Sequence, residues 1–126
     1  MKTPDFTVPE IHPKGWGYEL WLVNNNKYCG KILHFNNGKR CSFHYHKLKE
    51  EHFYCSSGSF LLKLSWGDDI TKAEERLFES GQVVEIPIGL RHQMIALQDG
   101  SQLIEISTQH LEDDSYRVAP GDSQKV

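Results

Sequence analysis

"FHYHKLKEEHFYCSSG", residues Phe43 to Gly58, raises the question on which the chain turns: a metal site, or a polar edge strand that happens to contain histidine. In an extended strand, residues two apart project to the same side, so His44 and His46 point together. A turn through Lys47–Glu50 would reverse the chain, and Glu51 would open the next, antiparallel strand. Pairing those two strands would set Glu51 beside the histidines on one face. Two imidazoles and a carboxylate converging inside a barrel suit a divalent transition metal. Cys55 shares the face of Glu51 and Phe53 and is expected to border the same cavity. His52 alternates with Glu51 and is expected to face away, packed between sheets or at a dimer contact, as is His34. His12 and His110 carry no signal.

Working outward, turn signals recur at Asn24-Asn25-Asn26, Asn36-Asn37-Gly38, Gly67-Asp68-Asp69, Ser80-Gly81, Pro87-Ile88-Gly89 and Asp99-Gly100. The segments between them are short and rich in β-branched and aromatic residues, which argues for an all-β sandwich or barrel. Alternation supports this: Phe60, Leu62, Leu64 and Trp66 fall on one face, Leu61, Lys63 and Ser65 on the other. Helical periodicity is weak; Thr71–Leu77 reads as a loop leading into a strand, and Leu111–Arg117 is the place for one helical turn. The expected organisation is a single domain, with residues 1–15 as an extended arm, 16–107 as the barrel and 108–126 as a tail frayed from Pro120.

A second stretch, "GQVVEIPIGLRHQMIALQ" (Gly81–Gln98), supplies a candidate fourth ligand. Val83–Ile86 reads as a strand, Pro87-Ile88-Gly89 as a tight reversal, and His92 as the start of a strand across the barrel, with Met94 and Ala96 on its face. A lone histidine there is ordinarily a surface or hydrogen-bonded residue; beside the other three it reads as a ligand.

Composition narrows the class. The chain has 126 residues, 25% of them charged, with a formal net charge of −3 and no basic stripe, which excludes a nucleic-acid surface. Its apolar runs are far too short to span a membrane, and Met1-Lys-Thr-Pro-Asp-Phe lacks the apolar stretch of a signal peptide. Cys29, Cys41 and Cys55 are odd in number and lack metal-knuckle spacing, so reduced thiols and a cytoplasmic location are expected.

Taken together, the two stretches resemble the cupins. The first cupin motif, Gly-x5-His-x-His-x3–4-Glu-x6-Gly, is met by Gly38, His44, His46, Glu51 and Gly58. The second, Gly-x5-Pro-x-Gly-x2-His-x3-Asn, is met by Gly81, Pro87, Gly89 and His92, with Ala96 at the asparagine position. The resemblance implies a small double-stranded β-helix, the cupin jelly-roll barrel, with metal ligands His44, His46, Glu51 and His92. Which divalent ion (Zn, Fe, Mn, Ni or Co) is open, because imidazole and carboxylate accept all of them.

Within the cupins, "WGYELWL" (Trp16–Leu22), "EEHFYCSSG" (Glu50–Gly58), "EIPIGLRHQM" (Glu85–Met94) and "LIEIST" (Leu103–Thr108) look like the type II mannose-6-phosphate isomerase cupin. That family generally has glutamine at the position of His44. The resemblance implies aldose–ketose isomerisation of a sugar or sugar phosphate, in which a Lewis-acid ion stabilises the enediolate and a base moves a proton. Arg91 and Lys49 are candidates to hold an anionic group; Lys49 otherwise reads as solvated surface charge. The base is open among Glu50, Tyr45, Tyr54 and a metal-bound water, with Arg91 a further catalytic candidate. A cupin dioxygenase with the same three-histidine, one-glutamate centre is the alternative, as is a non-catalytic metal-containing cupin that binds a small ligand. The family resemblance also implies a homodimer, which the arm and the exposed strand edges would suit.

Overall fold

Period-two alternation becomes two antiparallel sheets in the computed structural model, which describes residues 2–124. The strands are β1 (Glu10–Lys14), β2 (Gly17–Asn24), β3 (Cys29–Phe35), β4 (Phe43–Tyr45), β5 (Glu51–Ser57), β6 (Ser59–Ser65), β7 (Glu74–Glu79), β8 (Val83–Ile86), β9 (Arg91–Ala96), β10 (Ser101–Ser107) and β11 (Tyr116–Ala119). One sheet has six strands in the order β1-β2-β3-β10-β5-β8; the other has five, β11-β4-β9-β6-β7. This is the expected all-β jelly roll in a single domain. No helix among the described residues is long and apolar enough to cross a membrane.

Alternation decides what the sheets enclose. Cys29, Lys31, Leu33 and Phe35 of β3 point inward, as do Ser101, Leu103, Glu105 and Ser107 of β10 and Glu51, Phe53 and Cys55 of β5. Leu33, Phe35, Phe60, Leu62, Met94 and Leu103 form the core, with Trp16 stacked on Phe35 at 4.0 Å. Burying each such large side chain stabilises the fold by about 1.5–3 kcal/mol. Towards the other end of β3 and β10 the inner face turns polar, at Lys31, Glu105 and Ser107. The cavity forms at that end.

Two glycines of the sequence motifs are there for the backbone. Gly58 joins β5 to β6 with φ +72° and packs against Ser101, and Gly89 turns the chain before β9 with φ +86°. Both angles lie in the left-handed region that a Cβ disfavours.

Several local expectations need revision. β4 and β5 form no hairpin: β4 pairs with β9 and β11, β5 with β10 and β8, so residues 46–50 carry the chain from one sheet to the other. In place of a helical turn at Leu111–Arg117 there is a turn followed by β11, which pairs with β4. β1 extends the larger sheet beyond the expected barrel limits, and Asp122 in the tail is buried, its carboxylate accepting the Arg40 amide at 2.7 Å. The expected fraying from Pro120 therefore does not begin there, and Lys125 and Val126 lie outside the described residues. Trp66, at the end of the apolar face of β6, is 66% exposed because the strand stops at Ser65.

On its outer face the larger sheet carries an apolar row. Ile11, Leu20, Ile32, Ile104, Tyr54 and Val83 stand opposite one another across all six strands.

Candidate metal centre

β4 and β9 are neighbours whose only register pair is His44 with His92, and this sets their imidazole centroids 4.3 Å apart. His46 follows the end of β4, with ring centroids 5.1 Å from His44 and 5.8 Å from His92. The three rings converge so that one nitrogen from each lies within 4.8 Å of the other two. Glu51 reaches them from the larger sheet: its Oε1 is 3.6 Å from His46 Nε2 and its Oε2 is 3.4 Å from His92 Nε2. The sequence pattern suggested the reverse, with Glu51 beside the histidines and His92 opposite. Period two tells which face a residue occupies, not which sheet its strand joins.

Backbone carbonyls fix the tautomers. His44 Nδ1 donates to the Ser42 carbonyl at 2.8 Å, His46 Nδ1 to the Asp114 carbonyl at 2.6 Å and His92 Nδ1 to the Leu90 carbonyl at 3.0 Å. A carbonyl can only accept, so Nδ1 keeps the proton and each Nε2 turns a lone pair inward. Burial, reinforced by the other two imidazoles, pushes His44 down to about 3. Burial pushes His92 down to about 3 as well, against the Leu90 carbonyl, with His46 and Lys49 adding to the depression. His44 and His92 are therefore free bases at neutral pH. Glu51 Oε2 is buried without a hydrogen-bond partner, a costly state for a carboxylate oxygen. Three inward lone pairs and an orphaned carboxylate oxygen fit a divalent cation with nitrogen and oxygen ligands.

Asp114 braces this arrangement from the C-terminal segment. Its carbonyl holds His46, while its buried carboxylate accepts the amides of Lys47 at 2.9 Å, Leu48 at 3.2 Å and Lys49 at 3.0 Å. The crossover between two candidate ligands is thereby fixed. It also turns Lys49 inward, contrary to the expected surface position.

Lys49 is 4% exposed and lies 3.0 Å from Glu51 Oε1 and 2.9 Å from Glu105 Oε2. Burial alone would depress its pKa, but the two carboxylates reverse this and hold the ammonium charged well above the usual lysine range. Ser107 Oγ donates to Glu105 at 2.8 Å. Lys49 and Glu105 thus stand side by side next to the imidazoles, on a cavity of about 410 Å³.

The other candidates lie elsewhere. Arg91 binds Asp68 at 2.8 Å and lies over the Tyr45 ring at 3.7 Å, Glu50 and Tyr54 are exposed, and none of these four lines the cavity. His52 is exposed on the outer face, and His34 stacks on Tyr18 there. Cys55 belongs to the hydrophobic core, and Cys41 lines the cavity instead. Burial pushes the Cys41 thiol up to about 12 and raises Cys29 and Cys55, so the thiols stay protonated. Glu19, Trp21, Lys31, Glu105, His12 and His110 line the cavity without having been singled out. For Lys31 and Glu105 a signal existed: each is a charge on the otherwise inward-facing side of its strand, between Cys29 and Leu33 or between Leu103 and Ser107.

No family model matches the sequence, and no curated protein is significantly similar to it. Solved structures do share the fold. KdgF from Halomonas sp. superposes with a TM-score of 0.65 at 19% identity, over 76% of this chain and 81% of that one. The capsular polysaccharide assembling protein CapF from Staphylococcus aureus gives 0.77 at 18% identity, over 90% of this chain and 33% of that one. Oxalate decarboxylase from Bacillus subtilis gives 0.74 at 18% identity, over 86% of this chain and 30% of that one. The chain therefore spans about a third of the length of the latter two, and it shares the fold of all three.

Proposed function

We propose that this chain is a metal-dependent enzyme acting on a small, oxygen-rich molecule, and that its reaction is aldose–ketose isomerisation of a sugar or sugar phosphate. The observation that carries this reading is the Lys49–Glu105 pair, buried beside the imidazole cluster on the wall of a polar cavity. His44, His46, His92 and Glu51 would hold the ion, which would supply Lewis-acid polarisation of a substrate carbonyl. Glu105, on the cavity wall, would take a proton from the carbon next to that carbonyl and return it to the neighbouring carbon. Lys49 stays charged and donates a hydrogen bond to the oxygen on which negative charge develops. No electrons leave the substrate, and no second reactant is needed.

A cupin dioxygenase is the second reading. The three-histidine, one-carboxylate donor set favours it, with His44 where the isomerase cupins generally carry glutamine. So does the likeness to oxalate decarboxylase, one structure of which concerns its Mn(II) centres. The comparisons favour this second reading over the first; the buried proton-handling pair favours the first. Elemental analysis, then turnover assays on free and phosphorylated sugars with and without O₂, separates them. Anaerobic interconversion with a redox-inert ion is the expected result. Substrate-dependent O₂ consumption would establish the dioxygenase, and binding without turnover a non-catalytic ligand-binding cupin.

We also infer a homodimer. The apolar row on the larger sheet and the N-terminal arm support it, since Phe6 is 99% and Val8 87% exposed beside the edge strand β1, and a second copy offers both the same row and the same arm.

A further inference from the structure

We propose that Glu19, Trp21 and Lys31 form a subsite for two neighbouring hydroxyl groups of the ligand, so that this end of the cavity selects a saccharide over an inorganic anion. The inference rests on the carbohydrate class proposed above and deepens it. β2, β3, β10 and β5 lie side by side, and Trp21, Lys31, Glu105 and Phe53 stand opposite one another on their inner faces. Lys31 is thus one strand from Glu105 and two from the strand of Glu51. Two strand spacings are about 10 Å, a distance that a sugar with its hydroxyls can bridge.

The side chains leave bonding capacity unused. Lys31 is 2% exposed, yet its ammonium has only the Glu19 carboxylate at 3.6 Å and the face of Trp21 at 4.2 Å as partners among the described residues. Neither is a hydrogen bond, although an ammonium carries three donors. Glu19 Oε1 accepts from Trp21 Nε1 at 2.8 Å, which leaves acceptor capacity on the same carboxylate. A hydroxyl both donates and accepts, so two of them can use Lys31 and Glu19 together. An inorganic phosphate carries a negative charge that would meet the Glu19 charge. Trp21 is a fixed wall, with His12 stacked on it at 4.0 Å and His110 against its edge at 5.0 Å. The competing account is that Glu19 and Lys31 only tie β2 to β3.

The test titrates metal-free and metal-loaded protein with D-mannose, D-fructose, xylitol and inorganic phosphate, by calorimetry and tryptophan fluorescence. Parent, Lys31→Met, Glu19→Gln and Trp21→Phe proteins are compared, with metal content and melting temperature measured for each. Expected are saturable saccharide binding by the parent, at least a roughly tenfold weakening in Lys31→Met and Glu19→Gln, unchanged metal content, and no fluorescence response in Trp21→Phe. Parent affinity in both charge variants, no saccharide binding in either form, or displacement of saccharide by phosphate would overturn the subsite. If Lys31→Met does not fold, Glu19→Gln and Trp21→Phe decide. Turnover with KM unmoved in these variants would sink the subsite and leave the isomerase standing; binding through these residues without turnover would do the opposite.

Discussion

His92 and Lys49 show how a single position acquires its meaning. His92 is 1% exposed, points its Nε2 at Glu51 and has its other nitrogen tied to the Leu90 carbonyl. Replacing it with alanine should lower metal affinity by more than roughly 100-fold, read by elemental analysis after dialysis. In the metal-free protein the two depressed imidazoles make stability depend on pH. The unfolded chain protonates them near 6.5, whereas the folded chain holds out to about 3, so the unfolded state binds more protons between those values. Stability should be greatest above pH 6.5 and fall as the pH drops towards 3, with a shallower slope in His92→Asn, measured by urea titration at a series of pH values. Lys49→Met would leave Glu51 and Glu105 buried without their cation and should destabilise the fold by about 3–5 kcal/mol. The histidines were legible because alternation is a local property of the chain. Lys49 was not, since "KLKEE" looks solvated, and its burial depends on Glu105 and Asp114, both more than fifty residues away.

At the level of elements, the site depends on where β4, β5 and β9 sit. The pattern of apolar residues identified all three as strands, and the glycine-marked turns fixed most of their limits. It left open whether β5 folds back on β4 or crosses to the other sheet, because both give the same alternation. β11 was missed for a related reason: "DDSYRV" has turn-forming polar residues and too short an apolar pattern to signal a strand, and only pairing with β4 makes it one. The crossover between His46 and Glu51 has little packing of its own, so Asp114 sets its course. Asp114→Asn keeps the size but replaces one carboxylate oxygen with a donor facing backbone amides. Metal affinity should fall by roughly tenfold, with the parent metal stoichiometry recovered at saturating ion, by calorimetry.

For the whole molecule, the two-sheet barrel divides its inner face between an apolar core and a polar cavity. The outer face of the larger sheet is left with a band of side chains that water solvates poorly. The homodimer proposed above would cover it. Light scattering should give twice the chain mass for the parent, and the monomer mass for Ile104→Lys, which places a charge in the middle of the row. A monomeric parent at micromolar concentration would reject the dimer.

The carbonyl that orients His46 belongs to Asp114, far along the chain from the other residues that could grip an ion. A ribosome therefore joins all four candidate ligands to the chain before the residue that aims one of them. Metal capture should be a late event in biogenesis: a released chain truncated before Asp114 would contain the whole ligand set and yet load its cation poorly.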